Sequence, residues 1–357
     1  MSTHNRRVRY SGTHPRRFAE RYKERDPEKY PEMQAHVRAQ GRTPAGSHVP
    51  IMVAEVMAAL TPRPGDTVAD CTVGYGGHAF EFLSRIGPDG LLIGFDLDAV
   101  QLESTRARLA SAGRVSLRHG SFAEIESAMA AEGLPGFDVI FADLGVSSMQ
   151  IDDPARGFSY KQDGPLDMRM DAQSGPTAAD LLAELTERDI SDALEELADE
   201  PDHERIAWEI VRRGRERPIT RTDELVDAIF AAKGLTREGW RNMRESGEGD
   251  LHPAARTFQA LRILVNDELA SLDCLLNAAP RCLRPGGRIG ILSFHSGEDR
   301  LVKHAFREGV RAGDYAEASP EVVRASAAEV RSNPRSAPAK LRWARKNGEI
   351  RELKTEN

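Results

Sequence analysis

Apolar and polar positions alternate along this chain in a way that changes character several times. Over residues 1–47 there is little apolar periodicity beyond a short helical spacing near Phe18–Lys23, and Arg, Pro, Tyr and His dominate. That stretch reads as an extension. From His48 the pattern sharpens. Met52, Val53, Val56, Met57 and Leu60 recur at helical spacing, and Pro62-Arg63-Pro64-Gly65 closes that helix. Strand-like runs follow at Thr67–Thr72, Leu91–Asp96, Val115–His119 and Phe137–Asp143, each succeeded by a turn and a helical stretch. Strands alternating with helices predict a parallel sheet covered on both faces.

Near Gly145 the alternation stops. Residues 178–232 read as successive helices with boundaries at Pro201 and at Pro218-Ile219-Thr220, and a glycine-rich, charged stretch follows at Arg244–Asp250. Pro253–Ala279 then predicts one long amphipathic helix, with Phe258, Leu261, Val265, Leu269, Leu272 and Leu276 on one face. After the turn Arg284-Pro285-Gly286-Gly287, the strand pattern resumes at Arg288–Phe294. The simplest architecture is a doubly wound α/β sheet interrupted by a helical insertion.

Composition narrows the class. The chain has 357 residues, 40% of them hydrophobic, and no run approaches the roughly 18 consecutive apolar residues of a membrane span. The opening Met1-Ser2-Thr3-His4-Asn5-Arg6-Arg7 has no apolar core, so no secretory signal is expected. Three cysteines without CxxC spacing argue against a disulfide framework and a zinc knuckle, and point to a reducing cytoplasm. No metal site is expected, because His78 and His252 have no ligand cluster around them.

The formal net charge of −7 is unevenly spread. Residues 1–50 carry 11 Lys/Arg against 5 Asp/Glu, and residues 331–357 carry 8 against 3, which leaves the middle strongly acidic. On charge alone the two ends read as solvated, disordered tails. With Tyr10, Phe18, Tyr22 and Tyr30 set among the arginines, the N-terminal one also suits phosphate contact and base stacking.

The candidate chemistry begins at Asp70-Cys71-Thr72-Val73-Gly74-Tyr75-Gly76-Gly77-His78, between a predicted strand and a helix. Glycines there let backbone pass close to a ligand and leave helix N-terminal N–H groups facing it. Asp96 ends the next strand, 19 residues after Gly77, where a carboxylate accepts from the ribose hydroxyls of a nucleoside. The dinucleotide fingerprint G-x-G-x-x-G is not met, since Gly76 is followed by Gly77-His78-Ala79. An acidic residue, Asp70, precedes the loop. Both features tilt the choice toward S-adenosylmethionine, whose amino-acid end carries an ammonium group.

From here the chain resembles the bacterial ribosomal RNA small subunit methyltransferase H family, also called MraW. The resemblance rests on His48-Val49-Pro50 with Glu55, on Gly76-Gly77-His78, and on Asp143-Leu144-Gly145-Val146-Ser147-Ser148-Met149-Gln150. It continues through Arg156-Gly157-Phe158-Ser159 and Asp163-Gly164-Pro165-Leu166-Asp167-Met168-Arg169-Met170-Asp171. It ends with His252–Ile263, Asn266, Glu268 and Ser293-Phe294-His295-Ser296. The resemblance implies a Rossmann-like class I methyltransferase sheet with an inserted helical domain. It also implies S-adenosyl-L-methionine as cofactor, held by Gly76, Gly77, His78, Asp96, Phe122, Asp143 and Gln150. The implied reaction is methylation of the exocyclic N4 amine of a cytidine in small-subunit ribosomal RNA, or in the small ribosomal subunit.

Cytosine's amine is a poor nucleophile because its lone pair is delocalised into the ring. Acceptors on its N–H groups can bend it toward tetrahedral geometry. Many amino-methyltransferases use an Asp or Asn after the fourth strand, followed by two prolines and an aromatic residue; here Asp143-Leu144-Gly145-Val146 keeps the acid and lacks the aromatic. Asp143 is therefore the expected catalytic group, orienting the amine and helping its proton leave. Phe158, Asp167, Arg169 and His295 are candidates for the substrate side, with a helix start for His295 and an Asp167–Arg169 ion pair as the structural alternatives.

The expected organisation is an extension over 1–47, a methyltransferase domain over 48–146 and 251–346, an inserted substrate-recognition domain over 147–250, and a tail over 347–357. A monomer and a homodimer are both open. Two rival functions remain at this point: a methyltransferase of the same fold acting on another RNA site, and a non-catalytic RNA-binding ribosome-assembly factor.

Overall fold

The computed structural model describes residues 50–246 and 251–348. The expected extension, its short helix and the 247–250 part of the glycine-rich stretch lie outside the described residues.

The chain enters through α1 (Val53–Leu60), whose Val56, Met57 and Leu60 are buried. Three strand–helix units and a fourth strand follow: β1 (Thr67–Asp70) and α2 (Gly77–Ile86), β2 (Leu91–Asp96) and α3 (Ala99–Leu109), β3 (Val115–His119) and α4 (Ile125–Ala131), then β4 (Phe137–Asp143). All four residues of β1 are buried. A central strand covered on both faces is buried along its whole length, and this one is, with Val68 and Ala69 set between Thr67 and Asp70. Within it the alternation of side chains still sorts the layers. Val68 and Val139 pack with α1, α2 and α3 through Leu60, Phe82 and Leu102. Ala69 and Ile140 pack on the other face, against Ile125 of α4 and residues such as Leu272 and Leu276. Burying a side chain the size of Phe82 or Leu60 is worth about 1.5–3 kcal/mol over leaving it exposed.

After β4 come α5 (Ser148–Asp152), α6 (Ala178–Glu184), α7 (Glu187–Ala198), α8 (His203–Glu216), α9 (Thr222–Ala232) and α10 (Arg237–Glu245). Their apolar faces meet in a core of their own, including Leu182, Ile190, Leu194, Ile206, Ile210, Leu225 and Ile229, joined by Phe258 and Leu261. The chain returns through α11 (Ala255–Asn266) and α12 (Glu268–Cys282) to β5 (Leu283–Ser293), then α13 (Ser296–Ala312), β6 (Tyr315–Ala318), α14 (Ala327–Ser332) and β7 (Lys340–Lys346).

The seven strands lie in the order β3-β2-β1-β4-β5-β7-β6. The first five are parallel, as the alternation predicts. Strand order reverses at β1 and β4, and open α/β sheets bind ligands at the carboxyl ends of strands flanking such a switch. The expected Rossmann-like α/β class holds.

Four expectations need correcting. The helix expected over Pro253–Ala279 is two helices, broken where Asp267 turns left-handed at φ 50° and ψ 41°. The break is fixed from outside: Asn266 Oδ1 accepts from the Met170 N–H at 2.6 Å and its Nδ2 donates to the Met168 carbonyl at 2.8 Å. The turn Arg284–Gly287 sits inside β5 as a bulge, because Phe137 pairs with Leu283 and Val139 with Arg288. α10 lies where no helix was expected. Lastly, the basic C-terminal stretch is not a solvated tail over its described part. β7 is an inner strand, antiparallel to β5 and β6. Its charges are taken up by distant acids, Arg342 by Asp299 at 2.7 Å and Arg345 by Glu317 at 2.7 Å.

No described helix is long and apolar enough to cross a membrane. Among the described residues no group of three or more His, Cys, Asp or Glu is placed to hold a metal ion. The three cysteines are free.

Candidate active site

Three adjacent parallel strands, β2, β1 and β4, end in Asp96, Asp70 and Asp143, and the glycine loop is strung between them. Asp70 is buried, and its Oδ1 accepts from the Thr72 N–H at 3.2 Å. Thr72 Oγ1 in turn accepts from the Asp143 N–H at 2.6 Å, which ties the loop to β4. Asp96 Oδ2 accepts from the Gly74 N–H at 2.7 Å and Oδ1 from the Asp98 N–H at 2.8 Å. Asp96 therefore holds the loop's shape as well as ending its strand.

The loop's later glycines have distinct reasons to be there. Gly76 caps α2 in the left-handed region, at φ 76° and ψ 23°, and a Cβ on it would come within 2.9 Å of Thr105 Cγ2. A Cβ on Gly77 would meet Pro50 Cδ at 3.0 Å. His78 is buried in the first turn of α2, with Nε2 2.9 Å from the Ile51 carbonyl and its ring 4.7 Å from that of Phe141. Its Nδ1 is 3.6 Å from Asp143 Oδ2.

These acids are held away from their ordinary ionisation. Burial pushes Asp143 up to about 8, helped by the charges of Asp70 and Glu298. Burial also raises Asp70 to about 7, against the pull of the Thr72 N–H and with the charge of Asp96 adding to the rise. Asp96 is raised by burial to about 6 despite its two backbone N–H donors. Among the described residues Asp70 Oδ2 and Asp143 Oδ1 are buried and make no hydrogen bond. Buried acceptors are normally paired. A cationic ligand with N–H or O–H donors would fill the deficit at Asp70 and place positive charge near Asp143, and S-adenosylmethionine, with a sulfonium and an ammonium against one carboxylate, has that character. The residues present fit it.

The remaining expected residues fall into two groups. Gln150 is buried at the start of α5, where its Oε1 accepts from the Ser147 N–H at 2.8 Å and its Nε2 donates to Asp98 Oδ2 at 3.0 Å. Phe122 opens a short 3-10 turn after β3 and packs against the core on the α4 side. Phe158 is buried in the helical core, with the Arg156 guanidinium 5.7 Å from its ring centroid. Asp167 and Arg169 form a two-pronged ion pair, with Nε to Oδ1 and Nη2 to Oδ2 both at 2.8 Å. His295 caps α13, its Nδ1 accepting from the Glu298 N–H at 3.4 Å and its Nε2 lying 3.1 Å from Glu298 Oε1. The structure thus gathers Gly76, Gly77, His78, Asp96 and Asp143 at one sheet edge, while Phe158, Asp167 and Arg169 stand on the segment after α5.

Asp98 connects these groups, and sequence reading missed it. It is 3% exposed, caps α3 through the Val100 and Gln101 N–H groups, and accepts from Gln150 and, at 2.8 Å, from Arg156. Burial pushes its carboxyl up, but the hydrogen bonds and charge of Arg156 win and hold it below the usual range. Arg156 also donates to the carbonyls of Arg169 and Met170, at 3.0 and 2.9 Å. An Asp directly before a helix was the available signal. Glu298 was missed as well: 2% exposed, it accepts from the Phe294 N–H at 2.8 Å and from the His295 N–H at 3.3 Å.

Residues 45–347 match the family described as the MraW methylase family. The chain is 44% identical over 348 residues to "Ribosomal RNA small subunit methyltransferase H 1" of Lachnoclostridium phytofermentans, covering 96% of this chain and 93% of that protein. It is 45% identical over 311 residues to "Ribosomal RNA small subunit methyltransferase H" of Symbiobacterium thermophilum, covering 83% and 95%. Among solved structures, an rRNA methylase from Streptococcus thermophilus aligns with 82% of this chain and 94% of its own, at 9% identity and a TM-score of 0.34.

Proposed function

This chain belongs to the MraW methylase family, and from that premise we propose that it methylates the exocyclic N4 amine of a cytidine in small-subunit ribosomal RNA. At the coarser level it is an S-adenosylmethionine-dependent ribosomal RNA methyltransferase. When bound, S-adenosylmethionine supplies an electrophilic methyl group on a sulfonium.

The observation that carries the amine reading is Asp143. Its Oδ1 is buried without a hydrogen bond at the carboxyl end of β4, and a carboxylate there needs a donor. An amine offers two. Asp143 accepts from one N–H, bends the nitrogen toward tetrahedral geometry, and takes the proton released once the new C–N bond has formed. Backbone fixed by Thr72 holds that carboxyl in place. Positioning of this kind supplies most of the acceleration, with proton acceptance adding to it.

Gly76, Gly77, His78, Asp96, Phe122 and Gln150 are assigned to the donor. Asp96 can accept from ribose hydroxyls while keeping Gly74 and Asp98 bound, since each carboxylate oxygen takes more than one hydrogen bond. Asp70 faces the cation as a second acid. Residues 147–250 are assigned to RNA recognition, and the base must be unstacked to reach Asp143. Incubating the protein with labelled S-adenosylmethionine and unmethylated small ribosomal subunits, then digesting the RNA to nucleosides, tests this. Label in N4-methylcytidine is expected, and label in any other nucleoside overturns the assignment.

A further inference from the structure

The strand-end segment Asp143-Leu144-Gly145 has an acid but no aromatic residue of its own against which a target base could stack. The fold places an aromatic ring beside it from elsewhere. β4 and β5 are parallel, with Asp143 opposite Leu292, and the Leu144 N–H donates to the Leu292 carbonyl at 3.0 Å. Two residues further along the chain from each, just past the ends of β4 and β5, lie Gly145 and Phe294. A Cβ on Gly145 would stand 3.9 Å from Phe294 Cδ2 and equally 3.9 Å from Arg262 Nη1. Gly145 sits at φ +93°, a conformation that side chains disfavour, so the space between ring and guanidinium is kept open.

Both flanking groups are held from behind. Phe294 is half-buried, and its N–H is bound by Glu298 at 2.8 Å. Arg262 donates Nε and Nη2 to the two oxygens of Glu268, at 2.8 and 3.0 Å, and its side chain is only 18% exposed. Among the described residues its Nη1 makes no hydrogen bond. Glu268 thus takes one side of the guanidinium and leaves the other pointing past Gly145. A fork clamped in this way has few conformations left to lose when it binds.

We propose that Phe294 and Arg262 form the slot for the acceptor base, Phe294 stacking on its face and Arg262 Nη1 donating to the ring nitrogen and carbonyl beside the amine. This rests on the reading of Asp143 as the amine's acceptor. Asp143 ends β4 and Gly145 follows it by two residues, so the gap flanked by Phe294 and Arg262 Nη1 lies beside the acid at the carboxyl end of the sheet. Cytosine presents an amine donor next to the N3 and O2 acceptors. An acid next to a guanidinium matches that order. Uracil reverses it, setting a carbonyl against Asp143 and an N–H against Arg262, so the same pair rejects uracil.

The test compares small-subunit RNA carrying the target cytidine with RNA carrying 3-deazacytidine there, which keeps the amine and lacks the N3 acceptor. Wild-type kcat/KM is expected to fall about 10- to 100-fold on the analogue, the range for a hydrogen bond to a charged group. The double variant Arg262→Met with Glu268→Gln, which removes both members of the ion pair, should treat the two RNAs alike. Phe294→Leu should lower kcat/KM for RNA about tenfold or more with donor affinity within about twofold of wild type, and Phe294→Tyr should restore it. A wild-type enzyme indifferent to the deaza substitution overturns the Arg262 assignment without any variant having to fold. Full activity in folded Phe294→Leu overturns the stacking assignment. If wild type forms no N4-methylcytidine on unmodified RNA, it is the functional reading that fails.

Discussion

His78 and Asp143 face each other with Nδ1 and Oδ2 3.6 Å apart, and the far side of the ring fixes which nitrogen carries a hydrogen. The Ile51 carbonyl, 2.9 Å from Nε2, can only accept, so Nε2 carries a hydrogen. Nδ1 is then the nitrogen turned toward Asp143. Burial raises Asp143 to about 8, so at neutral pH its carboxyl favours the protonated form in the donor-free protein. A methyl acceptor that must give up a proton to Asp143 therefore depends on that carboxyl losing its own.

Asp96→Ala should weaken S-adenosylmethionine binding by about 1.5–3 kcal/mol, the loss of charged acceptors for ribose hydroxyls. Asp96→Asn should cost less, because the amide oxygen can still accept from the Gly74 N–H and keep the loop in shape. Calorimetry on folded variants measures both. Unchanged affinity in Asp96→Ala removes Asp96 from the donor site.

The donor-free protein should lose stability as pH rises from about 5 to about 8. Asp70 and Asp143 are raised to about 7 and about 8, so over this window the folded state holds protons that the unfolded chain has released. Stability from these groups is complete below the unfolded carboxyl range and is lost through the folded values. Glu209, pulled down to about 2 by Arg212 and Arg213, acts in the opposite sense but only at lower pH. Bound donor, being cationic, favours the ionised acids, so its affinity should rise with pH over the same window. Urea melts at several pH values check the slope, and Asp70→Asn should flatten it. A slope that Asp70→Asn leaves untouched removes Asp70 from the account.

Asp98→Ala should destabilise the fold by about 3–5 kcal/mol, because it strands the partly buried Arg156 and uncaps α3. The loss in an Asp98→Ala, Arg156→Ala double variant should be smaller than the sum of the singles. Denaturant melts of all three proteins decide this, and simple additivity would show that the two residues do not act as a pair.

How much of this could be read from residues alone follows from where the determining contacts lie. The parallel strands were legible because their centres are short apolar runs and each ends in an acid, at Asp70, Asp96 and Asp143. The glycine loop between strand and helix was legible for the same local reasons. The break at Asp267 was not, since helical spacing runs on through it and the force that ends α11 is Asn266 reaching Met168 and Met170, nearly a hundred residues away. β7 hid behind its lysines and arginines, which are neutralised by Asp299 and Glu317 from other elements. The linkage of Asp98 with Arg156, and the placing of Phe294 beside Gly145, depend on strand register and chain return that no local pattern encodes.

In the proposed reaction Asp143 receives the amine of the acceptor base. Single-turnover methyl transfer to small ribosomal subunits at saturating donor, followed from about pH 5 to about pH 9 for wild type and Asp143→Asn, tests it most directly. The wild-type rate should climb with pH and level off by about 8, as the carboxyl raised to that value ionises under the pull of the bound cation. Asp143→Asn should be slower by about 100-fold and lack that climb. A variant that transfers methyl at near wild-type rate, with the same pH profile, would contradict it.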